Sequence, residues 1–168
     1  MTTSDFAAYI DSLPKILAGA STLFRDADGR ILIAETTYRE DGKWVLPGGT
    51  IESSDGETPR EGARRETLEE IGLDVEPGDL LVIDWVQGMG RMPLASFLFD
   101  GGVLDDASLA AVRLQAEELS DWRMATPDEA EAYLSPGLYR RVRAALAVVG
   151  TVSAPVELVN GLPPRPRT

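Results

Sequence analysis

Residues 48–73 of the chain are GGTIESSDGETPREGARRETLEEIGL, a Gly-Gly pair followed by a segment rich in charged side chains. The second half of this stretch predicts a helix over residues 59–71. Thr58 is a suitable N-cap, because a proline follows it and Glu61 stands where a capping box requires a carboxylate. Gly72 is suited to end the helix, since glycine readily adopts the left-handed conformation that follows a last helical turn. The sequence therefore places a group of carboxylates on one regular helix.

Three of these carboxylates share one side of the predicted helix. Glu66, Glu69 and Glu70 lie within an arc of about 100° on a helix that turns by 100° per residue. Like charges so close together repel each other unless a cation lies between them. Mg²⁺ and Mn²⁺ prefer oxygen ligands, and Mg²⁺ usually keeps several waters and is completed by the phosphates of a substrate. The spacing therefore indicates metal-assisted chemistry on a substrate that contains phosphate. For a Glu-Glu pair taken alone, an ordinary solvated helix is the alternative.

The same residues resemble the motif of the Nudix hydrolases. In that motif a Gly is followed after five residues by Glu and after seven more by Arg-Glu. An aliphatic residue, any residue, Glu-Glu, any residue, Gly and an aliphatic residue complete it. Here the motif begins at Gly49, and its matching positions are Glu57, Arg65, Glu66, Glu69, Glu70, Gly72 and Leu73.

Two departures from the motif fall at positions that tolerate them. Seven residues, 50–56, separate Gly49 from Glu57 where the motif has five, and Thr67 takes a position that is usually aliphatic. The added residues belong to a Ser-Ser-Asp-Gly stretch, whose composition is that of a turn. The hydroxyl of Thr67 can donate to a carbonyl one turn earlier, so it need not be an unpaired polar group in the core. We therefore expect the helix to keep its place.

The resemblance implies both a fold and an activity. The implied fold is α/β (α+β), the Nudix α/β/α sandwich with a mixed central sheet. The implied activity is hydrolysis, dependent on Mg²⁺ or Mn²⁺, of a diphosphate linkage in a nucleoside diphosphate that is joined to another moiety. Nucleoside triphosphates, dinucleotides, ADP-ribose and nucleotide sugars all remain open as substrates. The alternative is a catalytically silent nucleotide-binding or regulatory module, although such modules have usually lost motif carboxylates. A homodimer is common in the family.

The resemblance also assigns roles to the residues of the motif. The expected metal ligands are the side chains of Glu66, Glu69 and Glu70 and the backbone carbonyl of Gly48. Glu66 and Glu69 are also expected to take part in catalysis, together with Arg65, which orients the carboxylates. The positions expected to support the structure of the motif are Gly49, Glu57 and Gly72.

Further candidates lie outside the motif. Family members often recruit an acidic residue from a later loop, and Glu118 is favoured here, although strand alternation leaves Glu117 nearly as suitable and a solvated strand edge is the alternative. Arg39, Lys43 and Arg91 are the candidate substrate-binding cations, because they stand in loops that can approach the Gly-Gly turn. A plain surface charge is the alternative for each.

The residue types that are missing limit the possible chemistry. The chain has 168 residues, enough for one domain with a substantial core, and it contains no Cys and no His. Disulfides, thiolate nucleophiles, imidazole bases and metal sites built on Cys or His are therefore excluded. Acid–base or metal chemistry has to rest on carboxylates, Lys, Tyr or water held by a metal. The acidic helix is the segment where these options meet.

Net charge and hydropathy limit the classes of molecule that the protein is expected to bind. The formal net charge is −12, whereas proteins that bind nucleic acid polymers or anionic lipid need a basic surface. No signal sequence is evident, and no run of about 18 apolar residues is long enough to cross a bilayer. We therefore expect a small phosphorylated substrate such as a nucleotide, no membrane partner and a cytoplasmic location.

The chain divides into three parts on the sequence alone. Residues 1–14 are expected to form an N-terminal helical extension, residues 15–150 the Nudix domain, and residues 151–168 a tail that is disordered from residue 163. The predicted helices span residues 4–13, 59–71 and 126–134, and another begins after Ser135. The predicted strands span residues 15–24, 30–35, 44–46, 80–86, 93–99 and 118–124. Strands interleaved with a few helices indicate a sheet flanked by helices.

Overall fold

The strands and helices were located in a computed structural model, which describes residues 3–88, 90, 92–151 and 155–164. The strands are β1 (Leu17–Arg25), β2 (Ile31–Thr36), β3 (Gly48–Thr50), β4 (Leu80–Val86), β5 (Leu94–Val103), β6 (Leu119–Ala125) and β7 (Val156–Val159). The helices are α1 (Thr3–Ser12), α2 (Pro59–Ile71), α3 (Asp106–Ala111), α4 (Ala130–Tyr133) and α5 (Pro136–Val148), and a short 3₁₀ turn spans Ser53–Asp55.

In the described part of the chain, seven strands form one mixed sheet in the order β6-β2-β1-β5-β4-β7, and β3 adds to β1. β1 and β5 run parallel, as do β4 and β7, whereas the other pairs are antiparallel. The start of β1 pairs with β3 and its end with β2, so two strands share one edge of β1. This mixed sheet flanked by helices confirms the fold class that the sequence predicts.

The central position of the sheet follows from the sequence of β2. Ile31 and Ile33 pack in one cluster with residues of α4 and α5, whereas Leu32 and Ala34 pack in another with Ile71 of α2. All four side chains are buried, because each face of the sheet is covered by helices. A run of four consecutive apolar residues is therefore typical of the middle layer of an α/β/α sandwich.

Helix α2 begins and ends where its sequence predicts. The hydroxyl of Thr58 accepts a hydrogen bond from the N–H of Glu61 at 3.3 Å, and the Glu61 carboxylate accepts one from the N–H of Thr58 at 2.8 Å. At the other end, Gly72 takes a left-handed conformation with φ 73°. Thr67 is buried and donates to the carbonyl of Ala63 at 2.7 Å, which satisfies its hydroxyl as expected.

Other parts of the secondary structure differ from the elements that the sequence predicts. Residues 44–46 form no regular strand, because Val45 pairs with Ala34 of β2 whereas Trp44 pairs with Leu134 beyond α4. Trp44 is a core residue, and its ring meets that of Tyr133 edge-on with 5.3 Å between centroids. β5 continues four residues beyond the predicted end, and α3 was not predicted.

The segment assigned to a tail contributes β7 to the sheet. β7 runs parallel to β4 from Val156, and its Leu158 is buried in the cluster beneath α5. Of the residues expected to be disordered, 165–168 lie outside the described residues. No helix in the described part of the chain is long and apolar enough to span a membrane.

Candidate active site

The Gly-Gly turn meets α2 through one carboxylate. Where β1 pairs with β3, the backbone N–H of Thr22 donates to the carbonyl of Pro47 at 2.9 Å, and the next residue, Gly48, lies opposite Ser21. In an antiparallel pair of strands, residue pairs that are joined by hydrogen bonds alternate with pairs that are not. Gly48 and Ser21 form a pair of the second kind, so the N–H and the carbonyl of Gly48 point away from β1. The N–H donates to Oε2 of Glu70 at 2.7 Å.

Only glycine fits at position 48. Its φ is 146°, and a Cβ there would collide with the backbone of Ala20 and Ser21. The carbonyl of Thr50, two residues on, faces α2 as well, since it accepts a hydrogen bond from Arg65 at 3.0 Å. The carbonyl of Gly48 is therefore presented on the side of the helix carboxylates, which suits the ligand role expected for it.

Arg65 ties the acidic residues of α2 and the preceding loop together. Its guanidinium donates to both carboxylate oxygens of Glu57, at 2.7 and 3.1 Å. It also donates to Glu66 and to Glu69, each at 3.0 Å. These partners hold the pKa of Arg65 well above its ordinary value, with Glu57 as the largest cause. The geometry is that of a residue that orients carboxylates.

Glu57 anchors the enlarged turn to the helix. Besides Arg65, its Oε2 accepts a hydrogen bond from the N–H of Glu52 at 2.7 Å, which closes the loop that carries the two added residues. The bond with Arg65 lowers the pKa of Glu57. Gly62 leaves room for this arrangement, since a Cβ there would lie 3.0 Å from Glu57 Oε2.

Glu66 lies directly over the backbone of the turn. A Cβ at Gly49 would lie only 2.5 Å from Oε1 of Glu66, so the second glycine of the pair makes room for this carboxylate. The side chain is 14% exposed, and burial raises its pKa despite the opposing effect of Arg65. Glu69 differs, because its side chain is 51% exposed and points to Arg65 at the rim.

Glu70 is the most buried carboxylate of the motif, with 3% of the residue exposed. Burial, and to a lesser extent the charges of Glu66, Glu118 and Glu69, raise its pKa to about 8. The hydrogen bond from Gly48 acts in the opposite direction without cancelling these effects. In the absence of a cation, this carboxyl group therefore holds a proton near neutral pH.

The loop after α3 brings Glu118 to this group. The N–H of Gln115 donates to the carbonyl of Glu70 at 2.9 Å, which fastens the loop to the end of α2. Glu118 is half-buried and lies close enough to Glu70 and Glu66 to raise the pKa of both. Glu117 is exposed, and its carbonyl accepts a bond from the hydroxyl of Thr37. The structure thus places Glu118, favoured on the sequence, beside the motif carboxylates.

Tyr38 is a member of this neighbourhood that the sequence analysis missed. Partial burial and the charges of Glu70 and Glu118 raise the pKa of the phenol, although 66% of the residue is exposed. The residue lies two positions after β2, in the loop that leads to the Gly-Gly turn. That position is the one sequence signal that points to it.

The two described candidate substrate-binding cations, Arg39 and Lys43, pair with groups other than the motif carboxylates. Arg39 forms an ion pair with Asp41 at 2.5 Å and faces a separate cleft. Lys43 donates to the carbonyl of Ala132 in α4 at 2.9 Å. Arg91 lies outside the described residues.

The donor set suits a hard divalent cation, although the ligands are not yet assembled. Among the residues that the structure describes, no three acidic side chains converge into a ready metal-ligand cluster, because Arg65 holds Glu66 and Glu69 while Glu70 turns to Gly48. All donors are oxygens, as Mg²⁺ and Mn²⁺ prefer. Burial raises the pKa of both Glu66 and Glu70, although Glu66 is paired with Arg65, so a further positive charge would favour the ionised form of each. These residues fit the cation.

Comparison with protein families decides the assignment. The model of the NUDIX domain matches residues 15–145, which is most of the chain. The chain belongs to the Nudix family. Membership supports hydrolysis of an acid anhydride as its activity. Comparison with curated protein sequences gives no match.

Solved structures agree with the Nudix fold. The MutT protein of Methanosarcina mazei Go1 is 24% identical and aligns over 81% of this chain and 95% of its own, with a TM-score of 0.63. An Ap4A hydrolase of C. elegans is 22% identical over 77% of this chain and 98% of its own, with a TM-score of 0.57. The NUDIX domain of Shewanella oneidensis NrtR, solved with ADP ribose, is 15% identical over 89% of this chain and 99% of its own, with a TM-score of 0.71.

Proposed function

We propose that this Nudix protein hydrolyses the diphosphate linkage of a nucleoside diphosphate joined to another moiety, with Mg²⁺ or Mn²⁺ as cofactor. The observation that carries the proposal is the position of Glu66 against Gly49 and of Glu70 on the N–H of Gly48. Glu118 is near enough for its charge to raise the pKa of both carboxyl groups. Burial and the charges of neighbouring carboxylates raise the pKa of Glu66 and of Glu70, and a divalent cation relieves this repulsion. Two of the relatives named above, the Ap4A hydrolase and the NrtR domain solved with ADP ribose, act on or bind a nucleotide derivative, which supports a nucleotide as one part of the substrate.

In this proposal each acidic residue has its own task. Glu66, Glu70 and the Gly48 carbonyl hold the cation, with Glu69 at the exposed rim. A bound divalent ion supplies charge stabilisation for the attacking and leaving oxygens. Glu118 accepts a proton from the water that attacks phosphorus. As the new bond from oxygen to phosphorus forms, the bond from phosphorus to the bridging oxygen breaks, and two phosphorylated products separate.

Arg65 takes a positioning role. Its guanidinium is held on the far side by Glu57 and the carbonyl of Thr50, so its remaining N–H groups fix the direction of Glu66 and Glu69. A planar fork that donates in several directions at once is suited to this task, whereas a lysine ammonium is not.

The second candidate is a Nudix module that binds a nucleotide without hydrolysing it. One observation favours it: the motif carboxylates are bonded within the protein, and no ready cation cluster is present among the described residues. Titration with Mg²⁺ or Mn²⁺ separates the two candidates, because the silent module has no need of the cation.

The test is a phosphate-release screen with each cation over nucleoside triphosphates, dinucleoside polyphosphates, ADP-ribose and nucleotide sugars. We expect turnover of one class, and we expect Glu70→Gln to lower kcat by about 10²–10⁴-fold with the fold intact. Glu131→Gln, a change on the exposed surface of α4, is the matched control and leaves kcat unchanged. Absence of both turnover and cation binding in the wild type contradicts the proposal and favours the silent module.

A further inference from the structure

A cavity lies at the N-terminal end of α5. Its volume is about 630 Å³, which is in the range of small-molecule sites. It is enclosed by five segments: the loop after β2, the end of β4, the start of β5, the first half of α5 and the turn after β7. Its apolar lining includes Val86, Leu94 and Leu138, whereas its charged lining consists of Arg39, Asp41, Asp84, Arg140 and Arg141. We call it the α5 cleft.

A buried ion pair gives one wall of the α5 cleft a fixed shape. Asp84 is fully buried, and its Oδ2 accepts two hydrogen bonds from Arg141, at 3.0 and 2.8 Å. Its Oδ1 accepts a third from the N–H of Gly161 at 3.1 Å. A buried carboxylate that is satisfied on both oxygens holds its partners in one geometry. The positive charge of Arg141 is fully used in this pair.

Arg140 is charged but has no counter-ion. Its Nη2 donates to the carbonyl of Asn160 at 2.9 Å, and its Nε is buried with no hydrogen-bond partner. Within the described part of the chain, no carboxylate lies within ion-pair distance of it, whereas Arg39 and Arg141 each have an aspartate. The lining therefore carries one uncompensated positive charge in a protein whose net charge is −12. The positive end of the α5 dipole adds to it.

The wall next to Arg140 is a turn with an unusual backbone conformation. Asn160 and Gly161 both have left-handed backbones, with φ of 54° and 74°. The side chain of Asn160 accepts a hydrogen bond from the N–H of Gln87 at 2.9 Å, which fastens the turn to the end of β4. This turn follows β7 and lies beyond residue 145, where the match to the NUDIX domain ends.

One loop connects the α5 cleft to the carboxylates. Tyr38 is near enough to Glu70 and Glu118 for their charges to raise the pKa of its phenol, and the next residue, Arg39, lines the cleft. Consecutive Cα atoms are about 3.8 Å apart. A substrate with its diphosphate at the carboxylates therefore has its second moiety within reach of the cleft.

We propose that the α5 cleft binds the second moiety of the substrate and that Arg140 selects moieties bearing an additional anionic group, a phosphate or a carboxylate. This inference rests on the proposed function for the position of the diphosphate. It names a substrate class: diphosphates whose second moiety is itself charged, in preference to their neutral counterparts.

The test compares substrate pairs that differ in one anionic group. UDP-glucuronate and UDP-glucose differ by a carboxylate, and NADPH and NADH differ by a phosphate, so the two pairs distinguish the two sources of charge. We expect kcat/KM to favour the anionic member of at least one pair by about tenfold or more, mainly through KM. Arg140→Gln removes this preference, and Arg140→Lys restores part of it. Arg143→Gln, on the exposed face of α5, is the control and keeps it.

A binding measurement separates this inference from the proposed hydrolysis. Calorimetric titration of the metal-free wild type with each of the four compounds requires no turnover. Tighter binding of the anionic member, lost in Arg140→Gln, supports the cleft even if the protein hydrolyses nothing. Equal affinity within both pairs overturns the inference even if hydrolysis is rapid. An equal loss of affinity for all four compounds in Arg140→Gln assigns Arg140 to support of the turn alone and also overturns it.

Discussion

Replacement of Glu70 by Gln should stabilise the metal-free protein, and only at high pH. The pKa of Glu70 rises from an ordinary 4.5 to about 8 on folding. A carboxyl group whose pKa is raised in the folded state favours folding most below its unfolded pKa, and this contribution is lost as the pH rises through the folded pKa. The folded wild type therefore carries an increasing penalty between pH 4.5 and pH 8.

The size of the effect follows from the shift. At 1.36 kcal/mol per pKa unit, ionisation of Glu70 costs the folded state on the order of 4–5 kcal/mol at pH 8.5 and less than about 1 kcal/mol at pH 5. Gln keeps the shape of the protonated carboxyl group but does not ionise. The variant should therefore exceed the wild type in free energy of unfolding by several kcal/mol at pH 8.5 and differ little at pH 5.

Urea denaturation in the presence of EDTA, at both pH values, measures this difference. Added Mg²⁺ should stabilise the wild type at pH 8.5 and leave the variant nearly unaffected, because the variant lacks a main ligand. A difference between wild type and variant that is the same at pH 5 and pH 8.5 refutes the reasoning. It would mean that Glu70 affects stability through packing rather than through its charge.

Three further predictions concern residues that hold the motif carboxylates or the wall of the α5 cleft in place. Arg65→Lys should lower kcat by about 10–100-fold with little change in KM, because a single ammonium group cannot replace the planar guanidinium that orients the carboxylates. Steady-state kinetics measure both constants. Gly49→Ala should displace the Glu66 carboxylate, because an oxygen of that carboxylate lies 2.5 Å from the position of the added Cβ. The affinity for the cation, measured by calorimetry, should fall at least tenfold, whereas the circular dichroism spectrum should not change. Asp84→Ala should lower the free energy of unfolding in urea by about 3–5 kcal/mol, because Arg141 is then buried without its partner.

The parts of the structure that were predictable depend on local interactions. The capping box at Thr58, the glycine at position 72 and the buried hydroxyl of Thr67 involve partners within one helical turn, and all three are confirmed. The charges around Arg65 are local in the same sense, since Glu66 and Glu69 lie on the same helix. A pattern of this kind is complete within a few turns of chain and needs no knowledge of the fold.

The parts that were not predictable depend on distant partners. β7 is stabilised by parallel pairing with β4, from which it is separated by about half of the chain, and its short sequence has no pattern that reveals this pairing. Lys43 was expected near the Gly-Gly turn, but its ammonium contacts a carbonyl of α4, an element whose position the sequence does not indicate. The α5 cleft is a similar case, since its walls come from five separate segments.

The charges of Arg65 and of the motif carboxylates determine which groups are available to bind a cation. Arg65 satisfies Glu57 and shares its remaining N–H groups between Glu66 and Glu69, whereas Glu70 stands apart, buried and protonated near neutral pH. A cation that binds at Glu70 therefore displaces a proton, and it need not break the ion pairs of Arg65. Binding should consequently release protons and strengthen with rising pH up to about 8, where Glu70 is already ionised. In the proposed mechanism the arginine network keeps Glu66 oriented throughout, so a cation would bind without disordering the carboxylates that hold it.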